Sequence, residues 1–178
     1  MNKALNTREK LLTHARALIW RHGYSNVSLR QIAAAAGVDV ALVSRYYGNK
    51  RGLFEATLEG AFDTPTVETA EELVEMVVQL FVSHPRDATD VSVLHLMLMN
   101  AQDEEVGNLV REQQQALLQT AVEHATGDQT RAALFMAAIL GMSVAEKSLH
   151  LKGIAPYDTA EYEKQLRHML TSALAYQP

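Results

Sequence analysis

SLRQIAAAAGVDVALVSRYYGNK, residues 28–50, holds two helical patterns on either side of Gly37. Ser28 followed three residues later by Gln31 is a capping box, in which hydroxyl and side-chain amide satisfy backbone N–H groups that a helix start leaves without partners. Leu29, Ile32, Ala33 and Ala36 then fall at i, i+3, i+4 and i+7, one apolar stripe on a short helix. Gly37 is where that helix stops, because only glycine enters the left-handed region without a steric penalty. Asp39 is placed to cap a second helix reaching Tyr47, with Val43 and Tyr47 on its inner face. Its outer face shows Val40, Ala41, Ser44, Arg45 and Tyr46. Helix, short turn with glycine, helix is the DNA-binding helix-turn-helix, whose second helix enters the major groove. A purely structural helical hairpin fits the same pattern, so the residues that follow must separate the two.

YYGNKRGLF, residues 46–54, ends the second helix and at once opens another, with Asn49 as N-cap and Lys50 at the first position. Here the chain resembles the TetR (tetracycline repressor) family of bacterial transcriptional regulators. The N-terminal signature of that family reads Thr/Ser-x-x-x-Ile-Ala-x-x-Ala-Gly-Val-x, a short helix ending in aromatics, then Gly/Pro-Ser/Asn-Lys and an apolar pair. SLRQIAAAAGV and YYGNKRGLF match it in register, and the match covers residues 7–62. One departure stands out: Val43-Ser44 occupies the place where many members have Leu-Tyr, so their phosphate-facing tyrosine is missing.

The chemistry of the outer face suits base reading. The Arg45 guanidinium can pair bidentately with O6 and N7 of guanine, with Ser44 and Tyr46 beside it and Val40 and Ala41 completing the surface. Arg30, on the outer side of the first motif helix, is the second candidate. Ser28, Lys50 and the start of the fourth helix are expected to clamp phosphate through backbone N–H groups and one full charge. Lys3, Arg8 and Lys10 are weaker candidates for backbone contacts.

The whole chain carries a net charge of −5, which by itself argues against nucleic acid. Its distribution reverses the argument. Residues 1–62 hold nine Lys/Arg against four acids, and residues 63–178 hold seven against seventeen. A basic head on an acidic body is the layout of a DNA reader whose body keeps clear of the phosphates. Hydropathy supplies enough apolar residues for a core, 48% of the chain. With no cysteine, disulfides and thiolate metal sites are excluded, which fits a reducing cytoplasm. Met1 to Glu9 is polar and reads as no secretory signal, and the longest uncharged run, 132–145, is too short for the roughly 20 residues a spanning helix needs. A cytoplasmic protein without a membrane partner is expected.

The pattern outside the motif is helical throughout, giving an all-α chain of about nine helices and no convincing strand. The first spans 7–22, with Thr7 as cap, and the fourth runs from Lys50 to Phe62. Asp63-Thr64-Pro65-Thr66 breaks the pattern and sets the domain boundary, 1–62 against 63–178. Thr69 with Glu72 opens a fifth helix to Ser83, and His84-Pro85-Arg86-Asp87 is a turn. Further helices are expected over 89–100, 103–124 and 129–151, with a last one from Asp158 as cap to Tyr176. In the eighth, Ala133, Ala137, Gly141 and Ala145 recur every four residues, a ridge that lets another helix approach closely, with Phe135, Ile139, Met142 and Leu149 opposite. A helix apolar on nearly all sides is buried on nearly all sides, either as the centre of a monomer or at a subunit contact.

Catalysis finds no support. None of the seven histidines forms HExxH or His-x3-His, no GxSxG or phosphate-binding glycine loop occurs, and no carboxylate pair converges. Glu146 and His150, at i and i+4, have metal-compatible spacing, but a surface pair or a buried hydrogen bond is the favoured reading of them. No catalytic residue, metal or cofactor is expected.

The resemblance implies the rest. It makes the chain an N-terminal three-helix helix-turn-helix head on a larger helical ligand-binding and dimerisation body. The last two long helices would pair with their twofold mates through Ala133, Ala137, Gly141, Ala145, Leu166 and Leu170. A small apolar or amphipathic ligand would sit among Met76, Phe81, His95, Met99, Phe135 and Met136, residues that plain core packing would also explain. The function implied is a homodimeric regulator, most often a repressor, that binds a palindromic operator in double-stranded DNA and is released by that ligand. A related DNA-binding protein with no small-molecule ligand, controlled by a protein partner, is the alternative. An all-α enzyme or carrier is the third reading.

Overall fold

The computed structural model describes residues 3–63, 65–83 and 92–177, with side chains from Leu5 onward. The turn expected at residues 84–87 and the first residues of the helix expected over 89–100 lie outside the described residues. Among those described, all regular structure is helical. The helices are α1 (Lys3–His22), α2 (Leu29–Ala36), α3 (Ala41–Tyr47), α4 (Lys50–Leu58), α5 (Ala70–Ser83) and α6 (Val93–Asn100). Then come α7 (Gly107–Gln113), a π-helical segment (Gln114–Gln119), α8 (Thr120–Thr126), α9 (Gln129–Lys147) and α10 (Ala160–Leu174). No helix among the described residues is long and apolar enough to cross a membrane.

By packing, the chain divides into two compact units: residues 1–63 with 91–114, and residues 64–90 with 115–178. In the first unit α1 packs against α2, α4 and α6, α3 against α4, and α6 against α7. Its core is Leu11, Ala15 and Ile19 from α1, Ile32 and Ala36 from α2, Val43 from α3, and Leu53, Phe54 and Leu58 from α4. Leu96, Met97, Val106 and Val110 complete it. Burying one such Leu, Ile or Phe stabilises by about 1.5–3 kcal/mol, which is why the periodic apolar positions set the helix faces. In the second unit α10 packs on α9 and α5, and α8 on α9 and α5. Val77, Val78 and Phe81 of α5, Phe135, Ile139 and Met142 of α9, and Tyr162 of α10 form its core.

Several helix ends depart from the sequence pattern, each for a local reason. α4 stops at Leu58 rather than Phe62. Glu59 turns extended (ψ 117°), Gly60 is left-handed (φ 69°), and the Ala61 N–H closes a turn on the Leu58 carbonyl. Arg16 of α1 takes up the freed carbonyls, donating to those of Thr57 (3.0 Å) and Glu59 (2.8 Å). The helix expected over 103–124 begins at Gly107, because Asp103 folds its carboxylate back onto the N–H groups of Glu105 and Val106. α9 ends at Lys147, so His150 (φ 47°) is off the helix and no longer shares a face with Glu146, which accepts from Tyr162 Oη. Thr159, not Asp158, caps α10 by accepting the Tyr162 N–H.

Leu166 and Leu170, assigned by resemblance to a subunit contact, are completely buried within the second unit and help form its own core. The ridge on α9 behaves differently. Ala133, Ala137 and Gly141 are exposed, Ala145 is half-buried, and Leu134 beside them is 39% exposed. The helix is therefore buried along one face only.

Candidate nucleic-acid interface

Each part of the helix-turn-helix has a visible cause. Ser28 Oγ accepts the Gln31 N–H while Gln31 Oε1 accepts the Ser28 N–H (2.8 Å), so the capping box is closed in both directions. Gly37 sits at φ 67°, ψ 36° and returns its N–H to the last carbonyls of α2. α3 starts at Ala41, two residues after Asp39, whose Oδ1 accepts the Ala41 N–H at 2.7 Å. Val43 is fully buried and fixes the inner face of α3. Asn49 Oδ1 accepts the Gly52 N–H at 2.8 Å to start α4. Gly52 admits no other residue without movement, since a Cβ there would lie 2.2 Å from the Tyr47 carbonyl oxygen.

The outward residues follow from that frame. Arg30, Val40, Ala41, Ser44 and Arg45 are exposed, and Tyr46 is half-exposed with the Arg45 guanidinium 6.0 Å from its ring centre. Five of them, Val40, Ala41, Ser44, Arg45 and Tyr46, share α3 or its N-cap; Arg30 and Ser28 belong to α2 and its cap. Lys50 is placed otherwise than a free phosphate clamp. Its Nζ donates to the Tyr24 carbonyl (2.7 Å) and lies 4.0 Å over the Tyr24 ring. Burial pushes the Lys50 ammonium down from its ordinary range, and the carboxylates of Glu105 and Asp103 partly restore it.

Two residues at this surface carry more than the sequence suggested. Tyr47 Oη donates to the Arg8 carbonyl (2.8 Å) and its ring lies 5.7 Å from the Arg8 guanidinium, so the exposed first turns of α1 are tied to the end of α3. Tyr24 stands edge-on to Phe54 with centroids 5.4 Å apart and donates from Oη to Glu105 (2.6 Å). Its single-residue apolar signal gave no hint of these partners.

The ligand candidates fall into both units. Met76 and Phe81 on α5, and Phe135 and Met136 on α9, belong to the second unit, where all but the half-buried Met76 are core. His95 and Met99 stand on α6 in the first. Among the described residues no group of three or more His, Cys, Asp or Glu is arranged to hold a metal ion.

Comparison with known proteins matches two family profiles. Residues 11–57 fit "Bacterial regulatory proteins, tetR family", and residues 71–174 fit "Tetracyclin repressor-like, C-terminal domain". The chain is 33% identical over 88 residues to the probable HTH-type transcriptional regulator YttP of Bacillus subtilis, a match covering 43% of this chain and 42% of that protein. Among solved structures, NalD of Pseudomonas aeruginosa, the secondary repressor of the MexAB-OprM multidrug efflux pump, superposes with a TM-score of 0.68. That match has 22% identity and covers 97% of this chain and 96% of that one. A tetR-family regulator from Mesorhizobium loti gives 0.60 at 15% identity, with 98% of each chain covered. At these identities the structures speak for the fold alone.

Proposed function

This chain belongs to the tetR family of bacterial regulatory proteins, and on that premise we propose that it is a homodimeric repressor that reads a palindromic operator and leaves it on binding a small apolar or amphipathic ligand. The observation that carries the reading is the surface of α3. Its inner residue Val43 is locked in the core while Val40, Ala41, Ser44 and Arg45 face outward, the division of labour a recognition helix requires. The basic balance of residues 1–62 supplies the sequence-independent attraction to phosphate. Selection from a random duplex pool with the purified protein tests it. An enriched inverted repeat is expected; a pool that stays random would sink the reading.

Release by ligand rests on the match of residues 71–174 to the repressor-like C-terminal domain. A ligand that controls binding must weaken operator affinity, and operator must weaken ligand affinity by the same factor. Titrating a bound compound with and without the selected duplex measures both. Equal affinity in the two titrations would remove the compound as a switch and favour control by a protein partner.

A further inference from the structure

The helix-turn-helix does not complete its own hydrogen bonding. The turn between α1 and α2 exposes two successive backbone N–H groups, those of Tyr24 and Ser25, and both are taken by side chains some eighty residues away. Asn100 Oδ1 accepts from Tyr24 N–H at 2.7 Å, and Asp103 Oδ2 accepts from both the N–H (3.2 Å) and the hydroxyl (2.6 Å) of Ser25. Asn100 is 0% exposed, and its Nδ2 donates to the carbonyls of Ile19 (3.3 Å) and Leu96 (3.0 Å). A buried amide with both ends satisfied contributes specific geometry that a leucine of similar size would not. Glu105 adds two further ties: its carboxylate accepts from Tyr24 Oη, and its carbonyl from Arg51 Nη1 at 2.9 Å. The Tyr24 carbonyl, held in place by these contacts, accepts from both the Val27 N–H and Lys50 Nζ.

We propose that Asn100, Asp103 and Glu105 form a strap whose residues are positioning residues for DNA binding: they hold the α1–α2 turn, and through it the start of α2 at Ser28 and the Lys50 ammonium at the start of α4. All three lie beyond residues 11–57, where the regulatory-protein profile matches. The strap is followed in the chain by α7 and then by the π-helical segment within which the chain passes from the first compact unit to the second. Single π turns inside helices recur at functional sites. A strain arising in the second unit therefore has a covalent route of one short helix to the turn that sets the DNA-facing surface. α4, which ends at Leu58, provides no continuous helix across the boundary.

The proposal rests on the DNA-reading function above, and its test separates the two. Full-length wild type, Asp103→Ala, Ser25→Ala and, as charge control, Glu104→Ala are compared at a temperature where each is folded. Amide hydrogen exchange is followed at Ser25 and Gln31, and affinity for the duplex enriched by wild type is measured across salt. Removing an acid from a DNA-binding protein should by itself strengthen binding, so Glu104→Ala sets the electrostatic baseline. Against it Asp103→Ala should bind about tenfold more weakly, the loss of a charge-assisted hydrogen bond, with faster exchange at Ser25 and at the Gln31 N–H of the capping box. Asp103→Asn, which keeps one acceptor oxygen, should recover part of the loss, and Ser25→Ala should show a smaller loss in the same direction. Binding by Asp103→Ala equal to or tighter than Glu104→Ala, or unchanged exchange at Gln31, overturns the strap. If wild type enriches no duplex, the regulatory reading fails, while exchange at Gln31 still decides whether the strap positions α2.

Discussion

Arg45 and Lys50 stand five residues apart and are asked to do different work. Arg45 is exposed on α3, its guanidinium near the Tyr46 ring, and free to swing into a groove. Arg45→Ala should cost about 1–3 kcal/mol of discrimination at one position in each half-site and leave the others as they were. Affinity measured on single-base variants of the selected duplex checks this; uniform weakening on every sequence would make Arg45 a phosphate contact. Lys50 already spends its ammonium on the Tyr24 carbonyl and ring. Lys50→Ala should therefore lower the stability of the first unit by roughly 1 kcal/mol as well as weaken DNA binding, since a partly desolvated cation–π contact is worth about that much. Urea unfolding reads the first effect. The salt dependence of operator affinity reads the second, and a slope reduced by about one identifies Lys50 as a phosphate contact too. The capping box, the Gly37 stop and the outward set on α3 were all legible from residues 28–50, because every one of them depends on neighbours within four positions. The engagement of Lys50 was not, since its partner is 26 residues away.

Between helices, the side chains that end one element come from another. Trp20 Nε1 donates to Thr57 Oγ1 (3.1 Å), Thr57 Oγ1 donates to the Phe54 carbonyl (2.6 Å), and Arg16 covers the carbonyls beyond. Thr57 is completely buried, so Thr57→Val keeps the shape and strands the Trp20 N–H. A buried donor without an acceptor costs about 1–3 kcal/mol, and the unfolding midpoint followed by the fluorescence of Trp20, the only tryptophan, should fall accordingly. An unchanged midpoint would mean the indole finds water instead. The strap makes a pH prediction of its own. Burial raises the Asp103 carboxyl, but hydrogen bonds from Ser25 and from the N–H groups of Glu105 and Val106 outweigh it and hold the group below its ordinary range. A carboxyl depressed in the folded state adds stability above its unfolded value, about 3.9, and loses it as pH falls through the lower folded value. Wild type should thus melt above Asp103→Asn at neutral pH, and the gap should close below about pH 4. A gap that persists in acid would show that the carboxylate charge is not what binds Ser25. Patterns of period 3.6 revealed where these helices lie, but not where α4 or α9 stops or that a π segment interrupts 107–126. The carbonyls beyond α4 are taken by Arg16, some forty residues away, and α9 closes on its own last turn through the Ser148 and Leu149 N–H groups, which apolar periodicity does not register.

At the scale of the molecule the open question is what meets the exposed ridge of α9. Ala133, Ala137 and Gly141 present small side chains to solvent beside Leu134, while the opposite face is packed into the second unit. A Cβ added at Gly141 would meet nothing within 4 Å in its own chain. For an isolated chain, Gly141→Leu should accordingly be harmless or stabilising by roughly 0.5–1 kcal/mol, because leucine is the better helix former. For a dimer whose helices approach along this ridge, the same change inserts an isobutyl group from each subunit where backbones must come close, and overpacking of that kind is strongly unfavourable. The two cases separate cleanly in sedimentation: wild type should be a dimer, and Gly141→Leu a folded monomer with an equal or higher melting temperature. Operator affinity should fall with dissociation, since a half-site spacing of about 34–36 Å is read only by two heads held together. A Gly141→Leu protein that remains dimeric would place the subunit contact elsewhere, and a monomeric wild type would remove the twofold operator from the proposed function.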